Sequence, residues 1–258
     1  MVGAVVDVPV HCDVDGGVAT ITLDSPGNRN ALSRSLVAAL HAALDRAEQT
    51  DVRVIVLTHT PPAFCAGADL KERAAGPTDS GPMVRAMRRL IDADQPTVAA
   101  VHGSVRAGGI GLMASCDLVV VKPDVTFAFT EVRIGVAPAI ISVPILMRCP
   151  WSRLASPFLT GEAFSAAAAL DIGLVTHVTD DVGAQVRSLT DGILAGAPRA
   201  VAETKRLLHA GSGAGANSWE EMQALSDRLF SSAEGAEGMR AFAERRTPTW
   251  ASPAVRDL

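Results

Sequence analysis

The chain has 258 residues, 48% of them hydrophobic and 20% charged, with a formal net charge of -5. That length and apolar content allow a substantial core, while the acidic balance argues against a nucleic acid backbone or an anionic membrane as partner. Cys12, Cys65, Cys116 and Cys149 include no C-x-x-C pair and no histidine pair falls at ligand spacing, so no metal site is expected.

The N-terminal sequence lacks a basic segment leading into an apolar run, which predicts a cytoplasmic setting with free thiols. The most apolar stretch, 134–147, is about fourteen residues long and too short to span a bilayer. "GVATITLD" (17–24) reads as a β-branched strand and 33–49 as a helix, with Leu36, Ala39, Leu40, Ala43 and Leu44 on one face and Ser33 as N-cap. "VRVIVLTH" (52–59) reads as a buried strand ended by the loop "TPPAF". A helix over 81–93, a strand over 97–103, a short helix from the glycines to Ser115, and the strands "DLVVV" and "TFAFT" continue the alternation. Beyond Ile140 only 174–178 reads as strand. Helices are predicted over 140–148, 151–160, 165–172, 182–195, 198–210, 218–232 and 234–246, with 209–218 as a flexible-looking connection. The organisation is α/β with a helical C-terminal quarter.

"RAGGIGLMASCD" (106–117) raises the main functional question. Gly109, Gly111 and Ala114 satisfy G-x-G-x-x-G/A, the dinucleotide fingerprint. The context departs from it: Arg106 and its neighbours separate the strand from the glycines, and the helix that follows is only about two turns long. A second reading is close packing of a helix on a strand. A third joins it to "AFCAGADLKE" (63–72), which also follows a strand and opens a helix. Two such segments can each offer a backbone N–H to one oxygen, the make-up of an oxyanion hole.

These segments, together with "LDSPGNRNALS" (23–33), "FAFTEVRIGVAP" (127–138), "LTGEAFSAAAALDIGLV" (159–175) and "EGMRAFAERRTPTW" (237–250), resemble the enoyl-CoA hydratase/isomerase, or crotonase, superfamily over nearly the whole chain. The resemblance implies a spiral of ββα turns over 1–195 holding the acyl-CoA site, a C-terminal helical trimerisation region over 196–258, and a homotrimer or a hexamer of two trimers. It implies an acyl-CoA thioester as substrate, with coenzyme A part of that substrate and no separate cofactor. Ala68 and Gly108 match the oxyanion-hole donors. Arg29, Ala31, Ala66, Asp69 and Leu70 match positions near the CoA or its pantetheine arm, and Phe242 and Arg245 match positions that reach a neighbouring subunit's nucleotide.

Family hydratases typically carry two glutamates. Gly111, in the substrate-binding stretch, stands where the first would be, and Glu131 matches the second. Glu131 has an alternative as a solvated ion pair with Arg133. As the acid/base, it fits hydration of a 2-enoyl-CoA, with isomerisation of an enoyl-CoA double bond or non-catalytic acyl-CoA binding as alternatives. Arg106 reads either as an exposed or intersubunit charge or as a group recognising a carboxylate of the acyl chain or a CoA phosphate. Asp69 and Asp117 read as groups that fasten backbone, and Cys65 and Cys116 as packed apolar residues.

Overall fold

The computed structural model describes residues 8–49, 51–76, 79–210 and 219–251. Most of the 209–218 connection and the first residue of the helix expected over 218–232 lie outside these residues. β1 (Val10–Asp15) and β2 (Val18–Leu23) form an antiparallel hairpin closed by Gly16-Gly17. No element was expected at β1, although Val10, Cys12 and Val14 alternate with polar residues at the period of a half-buried strand. α1 (Arg34–Ala47) starts at Ser33, whose hydroxyl accepts the Leu36 N–H, and buries Leu36, Leu40, Ala43 and Leu44.

Three successive strand pairs then send one strand to each of two sheets: β3 (Val54–His59) with β4 (Ala63–Cys65), β5 (Thr97–Val101) with β6 (Ser104–Arg106), and β7 (Leu118–Val121) with β8 (Thr126–Ala128). The intervening helices are α2 (Leu70–Ala74), α3 (Gly81–Asp92) and α4 (Gly108–Ala114). The expected strand over 97–103 therefore ends at Val101, and β4 and β6 occupy segments read as loop. Each is only three residues long, below what alternation can signal.

After a 3-10 turn over Thr130–Ile134 come α5 (Ala139–Arg148), α6 (Trp151–Thr160), β9 (Phe164–Ser165), α7 (Ala166–Asp171), β10 (His177–Val178) and α8 (Val182–Ala195). α9 (Pro198–Ala210), α10 (Trp219–Phe230) and α11 (Ala233–Glu244) follow. The larger sheet runs β1-β2-β3-β5-β7-β10, parallel except for the hairpin; the smaller runs β4-β6-β8-β9, with only β9 antiparallel.

Both faces of the larger sheet are buried, which explains the unbroken apolar runs of β3, β5 and β7. Ile55, Leu57, Ala99, Val101, Val119 and Val121 join Phe64, Val105 and Phe127 of the smaller sheet in one core. Val54, Val56, Val98, Ala100 and Val120 pack under Val182, Val186, Leu189 and Ile193 of α8.

α9 is fastened to this body by a buried polar cluster. Lys205 Nζ donates to the carbonyls of Leu90 and Gln95, each at 3.0 Å, and pairs with Asp117 Oδ2 at 3.0 Å. Asp117 also meets His209 Nε2 at 2.8 Å and accepts the Thr97 N–H at 2.7 Å. Burial opposes the Asp117 charge, but the His209, Lys205 and Thr97 contacts outweigh it and hold the carboxyl below its usual range. Asp117 thus fastens backbone, as its position in the sequence suggested.

Candidate active site

The smaller sheet brings three loops to one end. β4 and β8 flank β6 in parallel, with Cys65 beside Val105 and Arg106 beside Ala128. Beyond the C-terminal ends of these neighbouring strands stand Ala68, Gly108 and Glu131 respectively. Ligands of parallel sheets characteristically bind at such carboxyl ends.

Contacts between the loops are close. Gly67 has φ +90°, which disfavours any side chain, and a methyl placed on it would stand 2.9 Å from Ala107 Cβ and 3.5 Å from the Gly108 nitrogen. A methyl on Gly108 would meet Leu32 Cδ1 at 2.8 Å, with the Ala68 nitrogen 3.8 Å away. Gly109 lies against β4, where a methyl would meet Cys65 Cβ at 2.6 Å. Among the described residues, neither the Ala68 nor the Gly108 N–H has a hydrogen-bond acceptor. Two neighbouring backbone donors are thereby left for a ligand oxygen.

Several groups fix these donors. Ala107 N–H donates to Ala128 O at 3.0 Å, and Ala107 adopts φ 47°, ψ -121°, a conformation that alanine rarely takes. Leu32 N–H donates to Gly67 O at 2.8 Å. The loop before Leu32 is held by the fully buried Asn30, whose Oδ1 accepts the Ser25 N–H at 2.6 Å and whose Nδ2 donates to the carbonyls of Thr60 and Ala63 at 3.1 and 2.8 Å. Sequence reasoning passed over Asn30, Leu32, Gly67 and Ala107. For Asn30, an asparagine between two structured segments was the available signal, since asparagine tolerates its positive φ of 54°.

Glu131 lies in the 3-10 turn after β8. Phe129, two residues earlier, is fully buried against Phe158 and Phe164, with ring centroids 4.1 and 5.5 Å away. The Glu131 Oε2 atom is buried and has no hydrogen-bond partner among the described residues, and burial raises the carboxyl pKa above its ordinary value. Arg133 turns its Nε to Thr160 O at 3.1 Å, so the alternative ion pair with Glu131 does not form. A carboxyl with a raised pKa and an open oxygen is suited to taking up and returning a proton.

A family profile described as Enoyl-CoA hydratase/isomerase matches residues 13–253. The chain belongs to the enoyl-CoA hydratase/isomerase family. The "Putative enoyl-CoA hydratase" of Thermus thermophilus is 37% identical to this family member over 249 residues, covering 90% of this chain and 97% of the relative. The crystal structure of an enoyl-CoA hydratase from Mycobacterium avium is 40% identical with a TM-score of 0.72, covering 95% of this chain and 100% of that one. The enoyl-CoA hydratase structure from Shewanella pealeana gives 0.87 at 27% identity, covering 94% and 96%.

The other positions expected to bind substrate in this enoyl-CoA hydratase/isomerase family member divide into groups. Arg29 and Leu70 are exposed, Ala31 is buried, and the Ala66 N–H donates to Arg29 O at 3.0 Å beside the two donors. Asp69 caps α2 by accepting the N–H groups of Lys71 and Glu72 at 3.0 and 3.3 Å. Gly111 is buried, and a methyl on it would meet Ile141 Cγ2 at 2.5 Å and Met87 Cε at 2.7 Å. Packing fills the place where the first family glutamate would project. Phe242, 88% exposed, and Arg245 lie on α11 and its C-cap, near the C-terminal end of the described residues.

Cys65 and Cys116 are buried, with thiol pKa values pushed up to about 12, so neither is a thiolate nucleophile. Among the described residues, no cluster of three metal-binding side chains occurs and no helix is long and apolar enough to cross a membrane.

Proposed function

We propose that the protein is an enoyl-CoA hydratase, adding water to a 2-enoyl-CoA with Glu131 as its single acid/base and the Ala68 and Gly108 N–H groups as its oxyanion hole. The observation that supports this reading is that two backbone donors and a half-buried carboxyl oxygen, all without partners among the described residues, follow the carboxyl ends of three neighbouring strands. The Glu131 carboxylate takes a proton from water as the water oxygen bonds to C3. Electrons of the double bond move into the thioester, and the resulting enolate oxygen is held by the two N–H donors. Glu131 then returns the proton to C2, leaving the 3-hydroxyacyl-CoA.

A second reading, isomerisation, draws support from the packing at Gly111, which leaves no second acid on α4. A single carboxyl can carry a proton between C4 and C2. Purified protein supplied with crotonyl-CoA and with a 3-enoyl-CoA separates the two: hydration supports the first reading and isomerisation alone replaces it. Acyl-CoA binding without turnover on either substrate would leave only a binding protein.

The assembly we infer is a homotrimer or a hexamer of two trimers. Exposed Ile134, Val136, Val143, Leu146 and Trp151 give the segment after Glu131 an apolar surface suited to burial. Light scattering reads the assembly directly, and a monomer at working concentration would reject it.

A further inference from the structure

Arg106 closes β6, two residues before Gly108. Strand alternation puts Val105 and Phe127 toward the core and Arg106, Thr126 and Ala128 on the other face of the smaller sheet. A guanidinium has five N–H donors. Nη1 of Arg106 donates to the carbonyls of Val105, at 3.0 Å, and Thr126, and Nη2 donates to the Thr126 hydroxyl at 2.9 Å. The Nε–H and the second Nη2 N–H, which share one edge of the guanidinium plane, have no acceptor among the described residues. That edge is the fork through which arginine holds a carboxylate or phosphate by two parallel bonds.

Among the described residues, no carboxylate forms an ion pair with this cation. Burial works against the Arg106 charge, and the nearby Arg29 charge adds to the effect. Elsewhere among the described residues, Arg89 pairs with Asp45 and Glu48 and Arg246 with Glu237, whereas Arg53 and Arg148 are held by backbone carbonyls alone. Arg106 and the exposed Arg29 stand beside the candidate hole. Arg29 O accepts the Ala66 N–H at 3.0 Å, and a methyl on the next residue, Gly67, would lie 3.2 Å from Arg106 O.

We propose that Arg106, with Arg29 beside it, is an anion-recognition site for the substrate, its open guanidinium edge taking a carboxylate or phosphate oxyanion of the acyl-CoA. That the ligand is an acyl-CoA rests on the function proposed above. The site itself is tested by binding, without turnover, using three saturated thioesters: butyryl-CoA, glutaryl-CoA, and butyryl-pantetheine, which has no phosphate.

Calorimetry reads the two CoA ligands and NMR titration the pantetheine. Arg106→Gln, which can still donate to Thr126, weakens the oxyanion-bearing ligands by about tenfold or more and butyryl-pantetheine by less than about twofold. Loss on both CoA thioesters assigns the anion to a CoA phosphate; loss on glutaryl-CoA alone assigns it to the acyl carboxylate. Arg29→Asn, which suits the positive φ of 58° at that position and removes no side-chain hydrogen bond or ion pair to the described residues, weakens the same ligands. Equal weakening of all three ligands by Arg106→Gln, or no weakening, overturns the proposal. A chain that turns over no enoyl-CoA but shows the expected pattern rejects the hydratase and keeps the site.

Discussion

Gly111→Ala is expected to destabilise this protein, opposite in sign to a glycine-to-alanine change in an open helix, where the gain is about 0.5–1 kcal/mol. The added methyl would stand 2.5 Å from Ile141 Cγ2, 2.7 Å from Met87 Cε and 2.8 Å from Ile141 Cβ. Carbon atoms prefer about 3.5–4.0 Å. The Met87 terminus can swing aside, but Ile141 is buried, β-branched and part of α5, so relief requires moving that helix against α4. Overpacking of this kind costs about 1–3 kcal/mol, and after the propensity gain a net loss of about 1–2 kcal/mol remains.

Such a loss lowers the melting temperature by about 2–8 °C for a chain of this size, measurable by thermal unfolding followed by circular dichroism. Ile141→Ala removes Cγ2, so Gly111→Ala in that background should cost less by about 1 kcal/mol. An unchanged or raised melting temperature in the single variant, or strict additivity in the double, would refute the packing argument. Gly111→Glu should be worse than Gly111→Ala and bring no gain in hydration rate, because its carboxylate enters the same filled space without a partner.

Glu131→Gln should lower turnover by about a hundredfold or more, and wild-type activity in that variant would remove Glu131 from the mechanism. Because burial raises the folded-state pKa of Glu131, the stability it contributes is full below the unfolded value and is lost as pH rises through the folded one. The variant should therefore gain stability over wild type as pH rises from about 4.5, a trend read by denaturant unfolding at several pH values. Buried His59 behaves oppositely: burial lowers its pKa, its Nδ1 lies 3.0 Å from Thr60 O, and its Nε2 accepts the His102 N–H at 2.9 Å. Its contribution is present above the unfolded value near 6.5 and lost as pH falls through the folded one, so His59→Phe should flatten acid unfolding there while starting less stable. Ala107→Gly relieves a rare backbone conformation worth about 1–3 kcal/mol against about 0.4–1 kcal/mol of added chain entropy, and a lowered melting temperature would contradict that balance.

Periodic segments were the legible part of the fold. α1 with Ser33 at its start, β3, α3, α8 and α9 carry enough residues for a face to repeat, and each lies close to its expected position. β4, β6 and β9 did not declare themselves, because two or three residues cannot display a period. The candidate site divides along the same line. Glu131, Ala68 and Gly108 were singled out through surrounding motifs, whereas Asn30 and Ala107 act through backbone angles and long-range carbonyl bonds that residue type alone does not disclose. Arg133 was ambiguous for a related reason: its neighbour Glu131 is close in sequence, but its acceptor, Thr160 O, comes from α6.

The short strands that escaped the sequence pattern also bear on how the candidate site is held. A pairing of two residues each between β6 and β8 supplies little rigidity of its own, yet the relative positions of Gly108 and Glu131 depend on it. Rigidity is added from outside the ladder. Ala107 N–H extends the pairing to Ala128 O, the Arg106 guanidinium ties the end of β6 to Thr126 at the start of β8, and Phe129 is locked between Phe158 and Phe164. Arg106 therefore has two separable effects. Its bonds to Thr126 hold the sheet, and loss of that hold would weaken every ligand alike. Its open edge meets only a ligand that carries an oxyanion, so selective weakening of such ligands by Arg106→Gln is the signature that a purely structural role would not produce.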